Sequence, residues 1–170
     1  MSSRLELIML AHATRSFAEF VRQAWHLVER TRRLQWNWHF DVLCEYLEAL
    51  AADSDMTRLI INMPPRFGRS LLASVLWPAW VWASQPSLRW VFASYSSGLS
   101  APLSAARRGV LTSPWYQTRW AVRLASDQNE KTEFANTSGG RMMATSVGGT
   151  ITGKGGDFLI IDDLQSPEMS

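Results

Sequence analysis

Three short apolar runs alternate with segments of helical periodicity, and this alternation constrains the fold more than any other feature of the chain. The runs are residues 58–62 (RLIIN), 89–94 (RWVFAS) and 157–161 (DFLII). Apolar residues at helical spacing lie between them, over about residues 69–84 and 98–111. Strands that alternate with helices favour an α/β fold with a parallel sheet that helices cover on both faces. We therefore expect three buried strands.

The first 56 residues follow a different pattern, which predicts a helical N-terminal segment. Apolar residues recur every three or four positions from Phe17 to Val28 and predict one helix over about residues 4–33. A second set, from Phe40 to Leu50, predicts another helix that ends near the polar residues 52–55. We expect a helical segment over residues 1–56 and the α/β core over residues 57–170.

Two shorter β segments are predicted before the last apolar run. They cover residues 132–136 and 141–146 and are separated by a polar turn at 137–140. A glycine-rich loop at residues 148–156 follows them. These segments would extend the sheet.

Positive charge is concentrated in the middle of the chain. The net charge is only +2, yet residues 56–126 contain eight arginines and no acidic residue. Arginine binds phosphate groups in a bidentate manner, so a nucleotide or a nucleic-acid backbone would satisfy this segment. A solvated basic face with counterions is the alternative.

The composition favours a cytoplasmic protein. Cys44 is the one cysteine, so no disulfide forms within the chain, and no secretory leader precedes the first helix. The longest apolar stretch, residues 71–83, is interrupted by Pro78 and is shorter than the roughly 20 residues that a bilayer crossing needs. We expect no association with a membrane.

The junction between the first strand and its helix, MPPRFGRS, has the composition of a phosphate-binding loop. Gly68, Arg69 and Ser70 stand where such a loop has Gly, Lys and Ser or Thr. The amides at a helix N-terminus bind anions, and a serine hydroxyl at this position can ligate magnesium.

Two departures from the phosphate-loop pattern are present. Met63 or Pro64 replaces the leading glycine, and Arg69 replaces the lysine. Arginine keeps the charge but is longer and planar, and Arg66 could share phosphate binding. An ordinary Pro-Pro turn before a core helix is the alternative.

The last apolar run ends in two aspartates. In an α/β sheet such a strand delivers carboxylates to the edge where ligands bind. Asp162 would then hold magnesium, and Asp163 would polarise the attacking water as a general base. Two solvated acids that cap a turn are the alternative for this motif alone. A phosphate loop and an acid-ended strand about 90 residues apart are much more specific together than either motif alone.

From about residue 36 to residue 164 the sequence resembles the ATPase region of tailed-phage terminase large subunits. The pieces that carry the resemblance are RLIINMPPRFGRSLLASVLWPAWVWA, WVFASYSSGLS, PWYQTRW and TSVGGTITGKGGDFLIIDD, in that order. The resemblance implies a P-loop NTPase core of the ASCE type that uses ATP and Mg²⁺. It also implies a motor in the bacterial host cytoplasm that packages double-stranded DNA into a procapsid, as a homo-oligomeric ring on the portal protein and together with a small terminase subunit.

The resemblance assigns roles to individual positions. Residues 158–163 would be the Walker B strand, with Asp162 on the metal and Asp163 as the base. Arg66 is the candidate for neutralising charge in the transition state. The upstream piece NWHFDVLCEYLEAL resembles the segment that helps bind adenine, with Trp38 and His39 as candidates, although a histidine here is otherwise an ordinary core or surface residue. The Walker A residues that would contact the nucleotide are Pro64, Pro65, Arg66, Phe67, Gly68, Arg69, Ser70 and Leu71.

Other positions match loops that face DNA or sense the nucleotide in this family. These are residues 95–97 and 150–156, and the glycines of the second loop are equally explained as turn residues. Arg107 and Arg108 are expected on an exposed helix face, either solvated or in contact with DNA.

Family members continue past Walker B into a coupling motif and a nuclease domain, and nothing in this sequence corresponds to either. We therefore expect an incomplete core whose Walker B strand has an unprotected edge. Two other functions remain open: a catalytically silent prophage remnant that binds nucleic acid, and a helicase-like P-loop ATPase.

Overall fold

A five-stranded mixed sheet with helices packed against it forms the fold of the described residues, which are 3–52, 55–146 and 155–163 of a computed structural model. The helices are α1 (Arg4–Arg15), α2 (Phe17–Val28), α3 (Trp38–Ala51), α4 (Arg69–Leu71), α5 (Trp77–Ser84), α6 (Ser97–Thr112) and α7 (Pro114–Gln117), with a π-helical turn at Leu72–Leu76 between α4 and α5. The strands are β1 (Arg89–Ser94), β2 (Leu124–Asn129), β3 (Glu133–Asn136), β4 (Arg141–Ser146) and β5 (Phe158–Asp162).

The sheet has the order β2-β3-β4-β1-β5, and only part of it is parallel. β1 pairs in parallel with β4 and with β5, whereas β3 is antiparallel to both β2 and β4. The prediction of a wholly parallel sheet is therefore wrong. The short turn at residues 137–140 lies where the sequence predicts it. A turn of that length joins two neighbouring strands in antiparallel orientation, because a parallel pair needs a longer crossover connection.

Helices cover one face of the sheet within the described ranges, not both as expected. Trp90 stacks on Phe158 at 4.4 Å and meets Trp77 edge-on at 5.1 Å, which places this face of β1 and β5 in the main core. On the opposite face Leu159 is 61% exposed and Ile161 is 55% exposed. β5 is the last strand in the sheet order, so the expectation of an edge strand is confirmed.

Residues 58–62 do not form the predicted buried strand. They pair with no strand among the described residues, and Ile60 is 86% exposed. Leu59 and Ile61 are partly buried against the core. Its apolar composition, like that of β5, is typical of a strand that is buried on both faces. In the structure the segment packs against the core on one side only.

The predicted single helix over residues 4–33 is wrong, because the chain breaks at Ser16 and again after Val28. Ser16 has an extended backbone, and its hydroxyl accepts a hydrogen bond from the amide of Glu19. The carboxylate of Glu48 accepts a hydrogen bond from the amide of Phe17. A serine followed three residues later by glutamate is a helix-start signal that periodicity alone overlooks.

The helical segment 69–84 follows its predicted bounds, but Pro78 alters its geometry. Proline has no N–H, and its ring crowds the carbonyl of the residue four positions earlier, here Ser74, which lies in the π-helical turn. Arg107 of α6 donates to the carbonyl oxygen of Ser74 at 2.6 Å. Arg107 is only 1% exposed, so its predicted place on an exposed face is wrong.

Other predictions agree closely with the structure. β1 and β4 have the predicted bounds, and α6 extends the predicted helix by one residue at each end. No helix in the described ranges is long and apolar enough to span a bilayer.

Candidate functional site

The loop that leads into α4 has the backbone geometry of an anion-binding turn. Arg66 and Gly68 both have positive φ, 70° and 84°. The first helical hydrogen bond runs from the amide of Leu72 to the carbonyl of Gly68, at 2.9 Å. The amides of Arg69, Ser70 and Leu71 therefore precede that bond and have no acceptor within the helix. Such amides, together with alternating left-handed residues, form a concave site for anions.

Gly68 is required by both conformation and space. Its φ of 84° is one that residues with a Cβ rarely adopt. A Cβ at this position would also lie 3.3 Å from Cζ of Phe40. The loop is thus pressed against α3, which fixes its distance from the N-terminal helices.

Asp162 and Asp163 lie at the carboxyl end of β5, beside the end of β1. Asp162 is in register with Ser94, and the carbonyl of Asp163 accepts the amide N–H of Tyr95 at 2.9 Å. Asp163 has a φ of 46°, in the left-handed region that aspartate tolerates better than most residues. The side chain of Asp162 is 15% exposed and that of Asp163 is 64% exposed.

Arg69 joins the two motifs. Its Nη2 atom donates to Oδ1 of Asp162 at 2.9 Å and to Oδ1 of Asp163 at 2.8 Å. Burial opposes the charge of Arg69, but hydrogen bonds and the charges of the two carboxylates outweigh it and raise the pKa of the guanidinium above its ordinary value. Two segments more than 90 residues apart in sequence therefore converge on one point.

A pocket of about 1090 Å³ opens beside this point. Its second wall is the irregular stretch between α2 and α3. There the Glu29 carboxylate accepts hydrogen bonds from Thr31 and from the amide of Arg32, and these bonds hold its pKa below the ordinary value. The lining residues are Trp25, Glu29, Arg32, Arg33, Leu34, Gln35, Trp36, Asn37, His39, Phe40, Pro64, Pro65, Arg66, Phe67, Gly68, Arg69, Ser70, Leu71 and Asp163.

The aromatic wall of the pocket contains two polar atoms without partners. Nε2 of His39 and Nε1 of Trp25 are buried and have no hydrogen-bond partner among the described residues. Trp36 is held in place from outside, since Arg22 lies 3.7 Å over its ring and its Nε1 donates to Asp41 at 2.8 Å. A planar, partly polar ligand group fits such a wall.

Most of the predicted site residues face this pocket. All eight loop residues from Pro64 to Leu71 line it, as do His39 and Asp163, and Asp162 joins it through Arg69. Trp38 does not line the pocket and is 71% exposed. Residues 148–154 of the glycine-rich loop lie outside the described residues.

The residues that sequence reasoning missed are those between α2 and α3. Arg32, Arg33 and Trp36 were placed in or after a helix predicted to run to residue 33, yet they line the pocket. The signal was available, because residues 29–33 (ERTRR) contain no apolar residue and so cannot continue the apolar stripe of α2.

Magnesium is compatible with the donors at this point. No group of three or more His, Cys, Asp or Glu side chains that could hold a metal forms in the described ranges. Protein sites for Mg²⁺ often supply only one or two carboxylates and leave the other positions to phosphates and water. Asp162 offers one such carboxylate, and Ser70 lines the pocket beside it.

Comparison with known proteins adds no assignment. No model of a known protein family matches the sequence. No curated protein matches it either. The geometry of the pocket therefore has to support any functional proposal.

Proposed function

We propose that the chain is the ATP-binding and ATP-hydrolysing part of a DNA-packaging motor of the terminase large subunit type, built on a P-loop NTPase core. The observation that carries the proposal is the contact of Arg69 with Asp162 and Asp163. It brings the start of α4 and two carboxylates together beside one pocket, an arrangement that supports phosphate binding next to a metal and a water. Double-stranded DNA, the portal protein, the small terminase subunit and a homo-oligomeric ring belong to the proposal through the sequence resemblance.

Each residue has a distinct task in this proposal. The amides that begin α4 bind the phosphates, and Arg69 and Arg66 neutralise their charge. Ser70 and Asp162 would hold Mg²⁺, which when bound screens the phosphate charge during transfer. Asp163, whose side chain is the more exposed of the two aspartates, orients and deprotonates the attacking water.

The aromatic wall supplies a binding surface for the base. His39 is adjacent to the loop, with its ring 5.6 Å from that of Phe67, and its buried Nε2 has no partner among the described residues; a turn of the ring toward the pocket would present this nitrogen to a polar edge of the base. Trp36 and Phe40 provide apolar area next to it. Trp38, by contrast, has no part in this surface.

The distribution of the arginines favours nucleotide binding over a silent remnant that binds nucleic acid through a basic face. Much of the positive charge of residues 56–126 is engaged within the protein. Arg107 is buried, and Arg119 and Arg123 donate to backbone carbonyls. Arg69 and Arg89 are paired with aspartates. Five of the eight arginines in this segment thus already have partners within the chain.

Titration calorimetry with a non-hydrolysable ATP analogue, with and without Mg²⁺, tests the proposal. We expect binding that Mg²⁺ strengthens and that Asp162→Asn weakens in the presence of Mg²⁺. Asp157→Asn is the matched control, because Asp157 lies just before the opposite end of β5 and pairs with Arg89. Absence of nucleotide binding, combined with salt-sensitive retention of DNA, would instead support the silent remnant.

A further inference from the structure

We propose that, without nucleotide, Arg69 occupies the cation position between Asp162 and Asp163, so that a divalent cation binds there only together with a phosphate-bearing ligand. This inference rests on the proposed function and concerns the regulation of the same site. It depends on which oxygen atoms Arg69 holds and on where its side chain can go when it releases them.

A single nitrogen of Arg69 bridges both carboxylates. Nη2 lies 2.9 Å from Oδ1 of Asp162 and 2.8 Å from Oδ1 of Asp163. These are lengths of charge-assisted hydrogen bonds, and the nitrogen has two hydrogens, one for each carboxylate. A divalent cation that binds this oxygen of Asp162 would have to displace the nitrogen.

The charges make the exchange unfavourable for a bare cation. Arg69 is partly buried, with 28% of its side chain exposed, and Asp162 is 15% exposed. Displacement would leave a guanidinium in a partly desolvated place without an anion, and arginine cannot relieve this by losing its proton. The cation therefore has to compensate for an unpaired positive charge as well as for its own dehydration.

A phosphate ligand removes this penalty. Arg69 is the first residue of α4, and the amides of the same helix start form the anion site. A triphosphate there would give the guanidinium a bidentate anionic partner and draw it away from the carboxylates. Asp162 is then free for the cation that the ligand brings, and Asp163 for the attacking water.

Mn²⁺ binding followed by electron paramagnetic resonance is the direct measurement, with Mn²⁺ as the probe for Mg²⁺. We expect the wild-type chain to bind Mn²⁺ weakly alone and strongly with a non-hydrolysable ATP analogue. Without nucleotide, Arg69→Gln should bind Mn²⁺ about tenfold more tightly than wild type, a change of about 1.4 kcal/mol. The Arg69→Gln affinity should also depend less on the nucleotide.

Two variants isolate the cause. Arg69→Lys keeps the positive charge and should keep Mn²⁺ binding weak in the absence of nucleotide. Arg108→Gln removes one positive charge from α6, outside the pocket lining, and should behave like wild type. Circular dichroism establishes that each variant is folded, and the wild-type measurement decides the question by itself if Arg69→Gln does not fold.

The outcomes separate this inference from the proposed function. Wild-type protein that binds nucleotide but takes up Mn²⁺ equally well without it would overturn the inference and leave the proposed function standing. An Arg69→Gln protein that is folded and binds Mn²⁺ no better than wild type would overturn it too. Wild-type protein that binds no nucleotide would overturn the proposed function, and the nucleotide-dependent exchange with it.

Discussion

The helical segment 69–84 meets one arginine at its start and another at its π-helical turn, and the two lie in opposite environments. Arg69 is partly exposed and is paired with two carboxylates. Arg107 is almost completely buried, stacks on the ring of Phe92 at 3.4 Å and donates to a carbonyl, with no carboxylate partner in the described ranges. Burial lowers the pKa of Arg107 to about 9.

The two arginines differ in whether a ligand could replace their contacts. Arg107 donates a hydrogen bond to the carbonyl oxygen of Ser74. Pro78 cannot donate to this oxygen, because proline has no N–H. Nothing that binds in the pocket replaces that contact. The partners of Arg69 are carboxylates beside the pocket; under the proposal a phosphate replaces them at the guanidinium, and a cation replaces the guanidinium at Asp162. Ionisable groups in the core therefore contribute to stability, whereas those at the rim are available for chemistry.

The largest effect is expected at the rim. Asp163→Asn removes the carboxylate but suits the left-handed backbone, since asparagine tolerates positive φ. Under the proposed function, ATP turnover should fall roughly 10³-fold, the usual range for loss of a general base, while the affinity for a non-hydrolysable analogue stays within about threefold. Asp157→Asn, just before the opposite end of β5, serves as the control. Unchanged turnover in Asp163→Asn would remove this residue from the mechanism.

The second effect tests the core arginine. Arg107→Ala should lower the free energy of unfolding by roughly 3 kcal/mol, because it leaves a cavity and a carbonyl without a donor. Arg107→Met fills more of the volume and removes a buried charge, so it should cost less. Arg69→Gln breaks partly exposed ion pairs and should cost about 1 kcal/mol or less. Urea denaturation gives the free energy of unfolding of all three variants. Equal losses of stability in Arg107→Ala and Arg69→Gln would contradict the difference between the core arginine and the rim arginine.

The third effect concerns the loop between these regions. Gly68 and Gly139 have nearly the same φ, 84° and 88°, but a Cβ at Gly68 meets the Phe40 ring whereas one at Gly139 meets nothing within 4 Å. Both alanine substitutions should cost about 1 kcal/mol for the backbone, and Gly68→Ala about 1 kcal/mol more. Only Gly68→Ala should weaken nucleotide binding in calorimetry. Equal results for the two variants would show that the contact with Phe40 does not shape the loop.

Sequence patterns predicted the residues at the rim of the pocket more successfully than the sheet and the helices around the pocket. The loop at 64–71 and the aspartates at 162 and 163 were found because glycine, charge and acid at fixed places reflect local chemistry. The convergence of these motifs was inferred from the rule that parallel strands end at one edge. The structure brings the two motifs together through Arg69, although residues 58–62 form no strand and the rule therefore does not account for it.

What the sequence could not supply depends on tertiary context. Apolar content alone does not tell a strand buried on both faces from an edge strand such as β5, nor from the unpaired segment 58–62. The burial of Arg107 depends on a carbonyl freed by Pro78 on another helix, 29 positions away in the chain. The wall between α2 and α3 was missed because periodicity was extended past the last apolar residue of α2.

The smallest effect follows from another ionisable group of the core, Cys44. Burial, and then the charge of Glu48, raise the pKa of its thiol from an ordinary value of 9.0 to about 12. A group whose pKa is higher in the folded state contributes stability fully below its unfolded pKa and loses it as pH rises toward the folded pKa. Between pH 8 and pH 10, under reducing conditions, wild type should therefore lose roughly 1 kcal/mol more of its unfolding free energy than Cys44→Ala does. Parallel curves of unfolding free energy against pH for the two proteins would mean that the thiol ionises as easily inside the protein as in water. The core would then not desolvate its ionisable groups.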